Sequence, residues 1–583
     1  MRSSSRWAPL ALLLLTLACL FVRLGAPPLL DVDEGAFSEA TREMVVSGDF
    51  GRTTLNGEPR YDKPILVYWL QAASVEMLGP TNTAFRLPSA LCAAVWAWSV
   101  IAFVRRRLGV RTGWLAGAVT LTSLGVLVIG RAATADALLN ALICLTMTDL
   151  WRYFESQLES DTHDSAERRS GRAALWRAFV WTGLGLLAKG PVAVLIPAAV
   201  GLLYCVSTAS WRPLTGALAF WPGWLLMLAI AAPWYVYAVL TQGQAFIDGF
   251  FLKHNLHRFT GPLEGHRGGL FYYLVMGPVM WLPWSSALPA VMQRAPLSWR
   301  QPLGRFLWLW LGFVIVFFTL SGTKLPHYVL YGSTPMFMLI AEAVSLEQRR
   351  GFLHATGPAP DSSASTDSAA APWGSRWSWL LPLALLALAG GLPQIVQHFA
   401  ARSPEPLYDA LLGHAAETAP GWFKALPWIA LCAAVAGRLA VRARDLRFAL
   451  GSALWALTLV VGIAPWLANL LQGPVVHAAQ IAKARPETAV QWNLHFPSFA
   501  VYRQREAERR APRPGELALV RSDHLRARPC ADCTVLFAER GLALVLRAPT
   551  PGASAPATAG TPAHEAHDVL GHHGARKPGE GRP

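Results

Sequence analysis

Charged side chains are scarce in this sequence. Asp, Glu, Lys and Arg together make up 15% of its 583 residues, whereas soluble domains average about 25%. Hydrophobic residues reach 53%, 25 residues are Trp, and the mean hydropathy is +0.33. Apolar runs long enough to cross a bilayer, which takes about 20 residues, recur along the chain. The composition therefore excludes an ordinary soluble domain and predicts a protein with many membrane-spanning helices.

Cysteine is scarce as well, with seven in the chain. Five of them lie in apolar segments, where a thiol packs as a small hydrophobic side chain. Cys530 and Cys533 form the only close pair. One such pair supplies at most half of a zinc site, and in an oxidising compartment it favours a disulfide.

The basic residues are unevenly spread along the chain. The formal net charge is +15, a value that in a soluble protein would point to nucleic acid. Here much of the arginine falls between apolar segments, as it does in the cytoplasmic loops of membrane proteins. The basic loops share one side of the predicted membrane and lie at residues 105–111, 152–177, 294–305, 349–350 and 437–447. The charge pattern therefore predicts an orientation in the bilayer and no nucleic-acid partner.

Thirteen apolar spans can be counted, near residues 8–25, 84–104, 112–130, 137–152, 176–190, 191–207, 216–240, 269–291, 305–322, 328–345, 377–397, 424–441 and 448–470. The first also resembles a signal peptide, but its apolar run continues past any small-residue cleavage site, so we expect an uncleaved helix. The predicted fold is an all-α polytopic membrane protein with a small α/β unit near its C-terminus.

Three parts follow from this pattern. Residues 1–470 form the predicted transmembrane unit, with its candidate catalytic loop at 27–83. Residues 471–548 form a small α/β domain, because LALVRS, CTVLFAE and LALVLRA are typical of short strands. Residues 549–583, rich in Pro, Gly, Ala and His, are predicted to be disordered, and residues 354–372 are predicted to be a flexible loop.

The polar stretch 27–83 follows the first span, opposite the arginine-rich loops. Asp31, Asp33 and Glu34 come directly after the span, and carboxylates at a membrane surface are costly enough to suggest a function. One of them would be a general base that takes the proton from an acceptor hydroxyl. Alternatively, Asp33 would cap a helix predicted over 33–46, while the other two carboxylates are solvated. That helix has one apolar face and is expected to lie on the membrane.

Two further ionisable sites border the spans on this side. Lys63 would bind the phosphate of a lipid-linked donor or would only extend towards the lipid headgroups. Asp62 beside it would pair with Lys63 or ligate a cation. Asp136 follows Arg131 at the start of the fourth span, where an ionisable side chain is a candidate for function. The alternative for Asp136 is a helix cap partnered by Arg131.

Two later segments on the same side carry several basic residues. FFLKHNLHRFTGPLEGHRGG contains His254, His257 and Arg258, and SGTKLPHYVLY contains Lys324. His254 and His257 would share one face of a helix at their three-residue spacing, which suits a metal ion or a phosphate. The cluster as a whole favours an anion site. The alternative for SGTKLPHYVLY is anchoring at the membrane interface.

LLDVDEGAFSEATREMVVSGDF, LNGEPRYDKPILVYWLQAAS and TNTAFRLPSAL resemble the opening of the bacterial polyprenyl-phosphate-dependent glycosyltransferases. That family includes the lipid A aminoarabinose transferases and relatives in the protein O-mannosyltransferase superfamily. FFLKHNLHRFTGPLEGHRGGLFYYL and SGTKLPHYVL are similar to its later loops, so the resemblance covers about residues 1–340. It implies the GT-C fold, with many membrane helices, periplasmic amphipathic helices and a small C-terminal periplasmic domain.

The resemblance also implies roles for single residues. Asp33 takes the place of the family's catalytic aspartate, Lys63 that of the lysine near the donor phosphate, and Arg258 that of an arginine in the later loop. Two positions depart from the aminoarabinose transferases: His-Asn at 254–255 replaces a Glu-His pair, and Asp62 replaces a glutamate. The full predicted sets are catalytic Asp33, Glu34 and Asp136; phosphate-binding Lys63, Arg258 and Lys324; and candidate metal ligands Asp62, His254 and His257.

These features predict an enzyme of the bacterial inner membrane whose active site faces the periplasm. It would transfer a sugar from a polyprenyl phosphate, such as undecaprenyl phosphate, to an envelope glycolipid such as lipid A, with inversion. A divalent cation is a candidate cofactor. A protein O-glycosyltransferase differs only in its acceptor, and the residues do not decide between the two. A transporter is less favoured, because transporters carry repeated halves and midplane charges and this sequence shows neither.

Overall fold

The computed structural model describes residues 4–158, 165–261, 268–356 and 377–549. The loop predicted at 354–372 lies outside the described residues from 357 onwards, and the tail predicted at 549–583 lies outside them from 550 onwards. Most of the described chain is helical. Its α-helices are Ser4–Thr16, Asp33–Ser47, Leu66–Leu78, Asn82–Arg107, Val110–Thr122, Leu124–Gly130, Asp136–Leu158, Ser165–Lys189, Val192–Thr208, Arg212–Leu218, Trp221–Phe246, Arg258–Thr260, Tyr272–Met280, Leu288–Arg300, Pro302–Leu320, Ser333–Thr356, Leu381–Ala389, Leu392–Ala400, Pro406–Leu412, Leu426–Ala440, Arg444–Thr458, Ala464–Lys483, Pro497–Arg503 and Ser522–Ala527.

Wider and tighter helical turns connect several of these helices. The π-helices are Leu17–Phe21, Ile247–His257 and Leu459–Ile463, and the 3-10 helices are Trp284–Ala287, Pro326–Gly332, Ser378–Leu380 and Gly421–Ala425. The strands are Thr54–Leu55, Glu58–Pro59, Ala489–Trp492, Leu517–Arg521, Cys533–Glu539 and Leu542–Arg547.

Six of the described helical segments are long and apolar enough to cross a membrane, and nine if each of three bent pairs counts as one span. Two shorter apolar helices, Trp7–Phe21 and Val192–Thr208, also coincide with predicted spans. The two remaining predicted spans lie in the helices Asp136–Leu158 and Ser165–Lys189, which contain charged residues such as Asp149 and Lys189. The chain is therefore a multi-pass membrane protein. The count of thirteen spans is not reached and stays a prediction.

The helix Asp33–Ser47, called the loop helix below, begins and ends close to its predicted bounds. Gly48 terminates it with a left-handed backbone (φ 70°), which glycine adopts at little cost. The prediction that it lies on the membrane with one apolar face is wrong, because every residue from Glu34 to Met44 is buried. The helices Leu66–Leu78 and Pro497–Arg503 both pack against it. Its polar side chains therefore need partners inside the protein.

Four of the strands form one sheet near the C-terminus. Their order is Ala489–Trp492, Leu517–Arg521, Leu542–Arg547, Cys533–Glu539, with the first pair parallel and the other two antiparallel. The last three match the predicted strands, whereas Ala489–Trp492 was not predicted. The sheet shares its apolar core with Val475 and Ala479 of the helix Ala464–Lys483. Its standing as a separate domain therefore stays a prediction.

Candidate active site

Asp33 is the first residue of the loop helix, and its side chain is exposed. The N-cap position belongs to Val32, which forms no side-chain capping bond, so the capping role considered for Asp33 is not observed. Among the described residues the Asp33 carboxylate has no hydrogen bond or ion pair, but its charge acts on Arg60 and on His327. A general base needs a carboxylate that is free to accept a proton, and Asp33 meets this condition.

Glu34, next to Asp33, has a very different environment. It is buried, and Arg86 donates to both of its oxygens across 2.8 Å. The backbone N–H groups of Leu30 (2.9 Å) and Ala133 (2.8 Å) donate to the same carboxylate. Four donor atoms therefore bond to the Glu34 carboxylate. These hydrogen bonds connect the loop helix to the helix that carries Arg86 and to the backbone at Ala133. The catalytic role of Glu34 stays a prediction, and this geometry favours an anchoring role.

Asp62 and Lys63 lie in a half-buried charge cluster with Arg60, a residue that was not among the predicted site residues. Arg60 donates to the two Asp62 oxygens at 2.5 and 2.8 Å, and the Lys63 ammonium donates to the Asp62 carbonyl at 3.0 Å. Although burial opposes it, Arg60 and Lys63 hold the pKa of Asp62 far below its usual range. Burial lowers the pKa of Lys63 to about 8. The loop thus presents two cations beside one carboxylate that is already paired.

Asp136 is partnered by residues far from it in the sequence. Its carboxylate accepts from the ammonium of Lys189 and from the Tyr331 hydroxyl (3.0 Å), and the His327 ring lies 3.6 Å away. The proposed cap with Arg131 is wrong, because Arg131 donates to the backbone carbonyls of Cys19 and Val22 instead. The catalytic role of Asp136 stays a prediction.

Lys189 is the main residue that the sequence analysis missed. It ends the helix Ser165–Lys189, donates to the Tyr331 hydroxyl at 2.7 Å, and lies over the ring of that tyrosine at 5.4 Å. The charges of Lys189, Arg60 and Arg258 all act on Lys63. One sequence signal was available: Lys189 interrupts the apolar run LLAKGPVAV at a predicted junction between two spans, on the side of the other candidates.

His254 and His257 lie in the π-helix Ile247–His257, and Arg258 begins the short α-helix Arg258–Thr260 that follows it. A π-turn is wider than an α-turn because it bonds residue i to i+5, so three-residue spacing does not align two side chains. His257 is accordingly exposed, while His254 and Arg258 are half-buried. The charges of Asp62, Lys63 and Arg258 act on His254. The segment therefore contributes His254 and Arg258 to the charge cluster, and the predicted shared face of the two histidines is wrong.

Lys324, the third predicted phosphate-binding residue, is buried next to the same segment. Its ammonium donates to the backbone carbonyl of Ser321 at 2.8 Å. Ser321 and Thr323 in turn donate to the Arg258 carbonyl. These contacts connect Lys324 to the backbone around Arg258, and its role in binding phosphate stays a prediction.

The candidate metal ligands do not come together in the described part of the chain. Asp62 is paired with Arg60, and His257 is exposed. The group of ligand atoms close enough to share an ion there is Cys530, Asp532 and Cys533, but those two sulfurs form a disulfide. A divalent cation therefore stays a prediction, and we assign no step to one.

The cluster is suited to bind an anion. Two of its donors, Arg60 Nη1 and Arg258 Nε, are buried and lack a hydrogen-bond partner among the described residues, and so does the ring nitrogen Nδ1 of His254. Unpaired buried donors are costly, and a phosphate offers several acceptor oxygens. The ammonium groups of Lys63 and Lys189 belong to the same electrostatic network. The site can therefore hold a phosphate beside the free carboxylate of Asp33.

This geometry agrees with the similarity of the chain to known proteins. Residues 62–237 match the family described as dolichyl-phosphate-mannose-protein mannosyltransferase, a range that contains Lys63, Asp136 and Lys189. This part of the chain is therefore similar to a glycosyltransferase family.

Its curated relatives are more specific in name. It is 29% identical over 344 residues to the undecaprenyl phosphate-alpha-4-amino-4-deoxy-L-arabinose arabinosyl transferase of Aeromonas salmonicida, covering 58% of this chain and 59% of that protein. It is also 29% identical over 329 residues to the Pseudomonas aeruginosa (strain LESB58) enzyme of the same name, with 55% and 56% covered. The chain thus matches a little under three fifths of the length of these relatives.

The fold has a solved counterpart. The crystal structure of ArnT from Cupriavidus metallidurans bound to undecaprenyl phosphate superposes with a TM-score of 0.74, covering 93% of this chain and 98% of that one. The sequences are 19% identical over this match, so the likeness establishes the GT-C fold and not the substrate.

Proposed function

We propose that this protein is a glycosyltransferase of the bacterial inner membrane that transfers a sugar from a polyprenyl phosphate to an envelope glycolipid such as lipid A. One observation carries the proposal: the unpaired carboxylate of Asp33 lies beside a cluster of cations whose buried donors lack partners. The names of the curated relatives support undecaprenyl phosphate as the carrier and aminoarabinose as the first sugar to test.

In this mechanism Asp33 accepts the proton of the acceptor hydroxyl. The hydroxyl oxygen attacks the anomeric carbon of the donor, and the bond from that carbon to the phosphate oxygen breaks with inversion. The polyprenyl phosphate leaves with the bonding electron pair. Lys63 and Arg258 are positioned to stabilise the charge that develops on the leaving phosphate, an electrostatic contribution that is often the largest in such reactions.

Asp136 has a supporting role in this proposal. Its carboxylate is occupied by Lys189 and Tyr331, so it is poorly placed to accept a substrate proton. It holds the ammonium of Lys189 in the electrostatic network around Lys63. We therefore assign Lys189 to the phosphate and Asp136 to the orientation of Lys189.

The orientation in the membrane is also part of the proposal. The arginine-rich loops between spans favour the cytoplasm, and the loop that carries Asp33 and Lys63 lies on the predicted opposite side. The active site would therefore face the periplasm. A protein acceptor would leave this chemistry unchanged, but the relatives named as arabinosyl transferases provide no support for it.

The test compares the envelope glycolipids of a strain that lacks the gene with those of the wild type by mass spectrometry. The deletion strain is complemented with wild-type protein, with Asp33→Asn, or with Asp49→Asn as a matched control. Asp49 lies beyond the other end of the loop helix and pairs with Arg52 at the surface. We expect the wild-type and Asp49→Asn proteins to restore one glycosyl mass and Asp33→Asn not to restore it.

Two outcomes would contradict the proposal. A glycolipid profile that does not change on deletion would exclude a glycolipid acceptor. Full restoration by Asp33→Asn, at equal protein abundance, would show that Asp33 is not the base.

A further inference from the structure

Asp31 lies two residues before Asp33 and contacts a distant part of the chain. The backbone N–H of Ser498 donates to Asp31 Oδ1 at 2.9 Å, and the Ser498 hydroxyl donates to Asp31 Oδ2. Ser498 belongs to the short helix Pro497–Arg503, which packs against the loop helix. Asp31, two residues before the free carboxylate of Asp33, is therefore hydrogen-bonded to the C-terminal region.

Gln472 completes the environment of Asp31. With its amide group oriented to satisfy both neighbours, its NH2 group donates to Asp31 Oδ2 at 3.1 Å and its carbonyl accepts from the Asp31 backbone N–H at 3.1 Å. Gln472 is buried in the last long membrane helix, Ala464–Lys483. Together Ser498 and Gln472 bond both oxygens of the side chain and the backbone of Asp31.

Other contacts join the same two regions. The Tyr502 hydroxyl accepts from the Leu29 backbone N–H at 2.7 Å and donates to Asn82 at 3.1 Å. Gly35 approaches the C-terminal helix so closely that a Cβ at this position would lie 2.6 Å from the Ser498 backbone nitrogen. The start of the loop helix is thus packed tightly against this helix, and Asp31 lies at the centre of the contact.

The chemistry of Asp31 differs from that of its two neighbours. Arg86 neutralises Glu34, whereas the groups bonded to Asp31 are an amide, a hydroxyl and a backbone N–H. Burial raises the pKa of Asp31 to about 7, although both bonds from Ser498 lower it. Its contacts are therefore hydrogen bonds donated by uncharged groups. An Asn at this position reproduces them in part, because its oxygen can accept from the Ser498 backbone N–H and its NH2 group can donate to the Ser498 hydroxyl oxygen.

We propose that Asp31 is a positioning residue, which uses its hydrogen bonds to Ser498 and Gln472 to hold the start of the loop helix so that the Asp33 carboxylate faces the phosphate-binding cluster. This inference rests on the proposed function, because Asp33 is the base in that mechanism. It adds that the C-terminal region takes part in catalysis by orienting the base. A misplacement of about 1 Å in such a group reduces a rate by about a hundredfold.

The test uses the full-length protein and the variants Asp31→Ala, Asp31→Asn and Ser498→Ala, with Asp49→Asn as a control. Three quantities are measured: glycolipid modification in the complemented deletion strain, the affinity of the purified protein for undecaprenyl phosphate, and amide hydrogen exchange over residues 33–40. The exchange measurement does not depend on the reaction. It therefore tests the contact between the two regions even if the proposed reaction is wrong.

We expect Asp31→Ala to reduce modification by about a hundredfold and to accelerate exchange at the start of the loop helix. Ser498→Ala should change both quantities in the same direction by less, because the backbone N–H and Gln472 remain. The affinity for undecaprenyl phosphate should stay close to that of the wild type in every variant, since none of these residues belongs to the cationic cluster. Asp31→Asn should restore part of the modification, because it keeps one acceptor oxygen for the Ser498 backbone N–H, and Asp49→Asn should behave as the wild type.

Two results would overturn the inference. If Asp31→Asn is as inactive as Asp31→Ala while exchange in it is normal, Asp31 acts in the chemistry and not through position. If Asp31→Ala changes neither exchange nor modification, the contact does not hold the loop helix. A wild-type protein that modifies no glycolipid would instead refute the proposed function, and the exchange result would still decide whether Asp31 holds the helix.

Discussion

Replacing Arg86 with methionine is the perturbation whose size the structure defines best. The Arg86 guanidinium donates twice to Glu34 at 2.8 Å and also to the carbonyls of Leu24 (3.1 Å), Pro27 (2.6 Å) and Pro28 (2.7 Å). Both side chains of the ion pair are almost fully buried, with 3% of Arg86 and 6% of Glu34 exposed. One side chain therefore joins the end of the first membrane segment to the start of the loop helix.

The magnitude follows from leaving one charge buried without its partner. Removing one member of a buried ion pair costs about 3–5 kcal/mol, and the carbonyls that lose a donor add to that cost. The pair at the other end of the loop helix, Arg52 with Asp49, is 52% and 31% exposed, and such surface pairs contribute about 0–1 kcal/mol. Arg86→Met should therefore lower the free energy of unfolding several times more than Arg52→Met does.

Thermal unfolding of the purified variants, together with transfer activity per folded molecule, tests this reasoning. Glu34→Gln should be destabilised nearly as much as Arg86→Met, yet its folded fraction should keep most of its activity. The double variant Glu34→Leu with Arg86→Met should recover part of the stability, since no charge is left unpaired. A Glu34→Gln protein with normal stability and no activity would refute the anchoring role and support a catalytic one.

Three further predictions concern the phosphate site and the C-terminal sheet. Because burial lowers the pKa of Lys63 to about 8, its ammonium is present below that pH and lost above it. The affinity for undecaprenyl phosphate should therefore fall above that pH in the wild type but not in Lys63→Arg, and equal profiles would contradict this. Asp136→Asn and Lys189→Met should each reduce transfer by about a hundredfold, and the double variant should be no worse, because the two residues act as one unit; additive losses would contradict this. Mass spectrometry after thiol labelling should find Cys530 and Cys533 labelled only after reduction, and labelling without a reductant would exclude the disulfide.

Local pattern was sufficient for several features of this fold. The apolar runs predicted the helical segments, and the spacing of polar and apolar residues predicted the loop helix to within one residue of its observed end at Ser47. Patterns of this kind reflect burial and backbone periodicity, which neighbouring residues encode. The burial of the loop helix from Glu34 to Met44 was not predictable in this way, because the helix Pro497–Arg503 that covers it comes from the far end of the chain.

The ion pairs that the sequence did not predict at the site join residues far apart in the chain. Lys189 pairs with Asp136 across 53 residues, and Arg86 pairs with Glu34 across 52. An ion pair depends on where two side chains meet after packing, and a single sequence carries no periodic signal for it. Lys189 therefore looked like an isolated charge between two apolar segments, and Arg60 like one more basic residue in a polar loop.

The carboxylates at 31, 33 and 34 show the same distinction within four residues. Their composition and their place after a membrane span predict a function for this stretch, since carboxylates there are costly without a role. Their different environments arise from contacts with other parts of the chain. Asp31 is held by Ser498, 467 residues away, and Glu34 by Arg86. Packing supplies buried donors to these two carboxylates and leaves Asp33 exposed, free to accept a proton beside the cationic cluster.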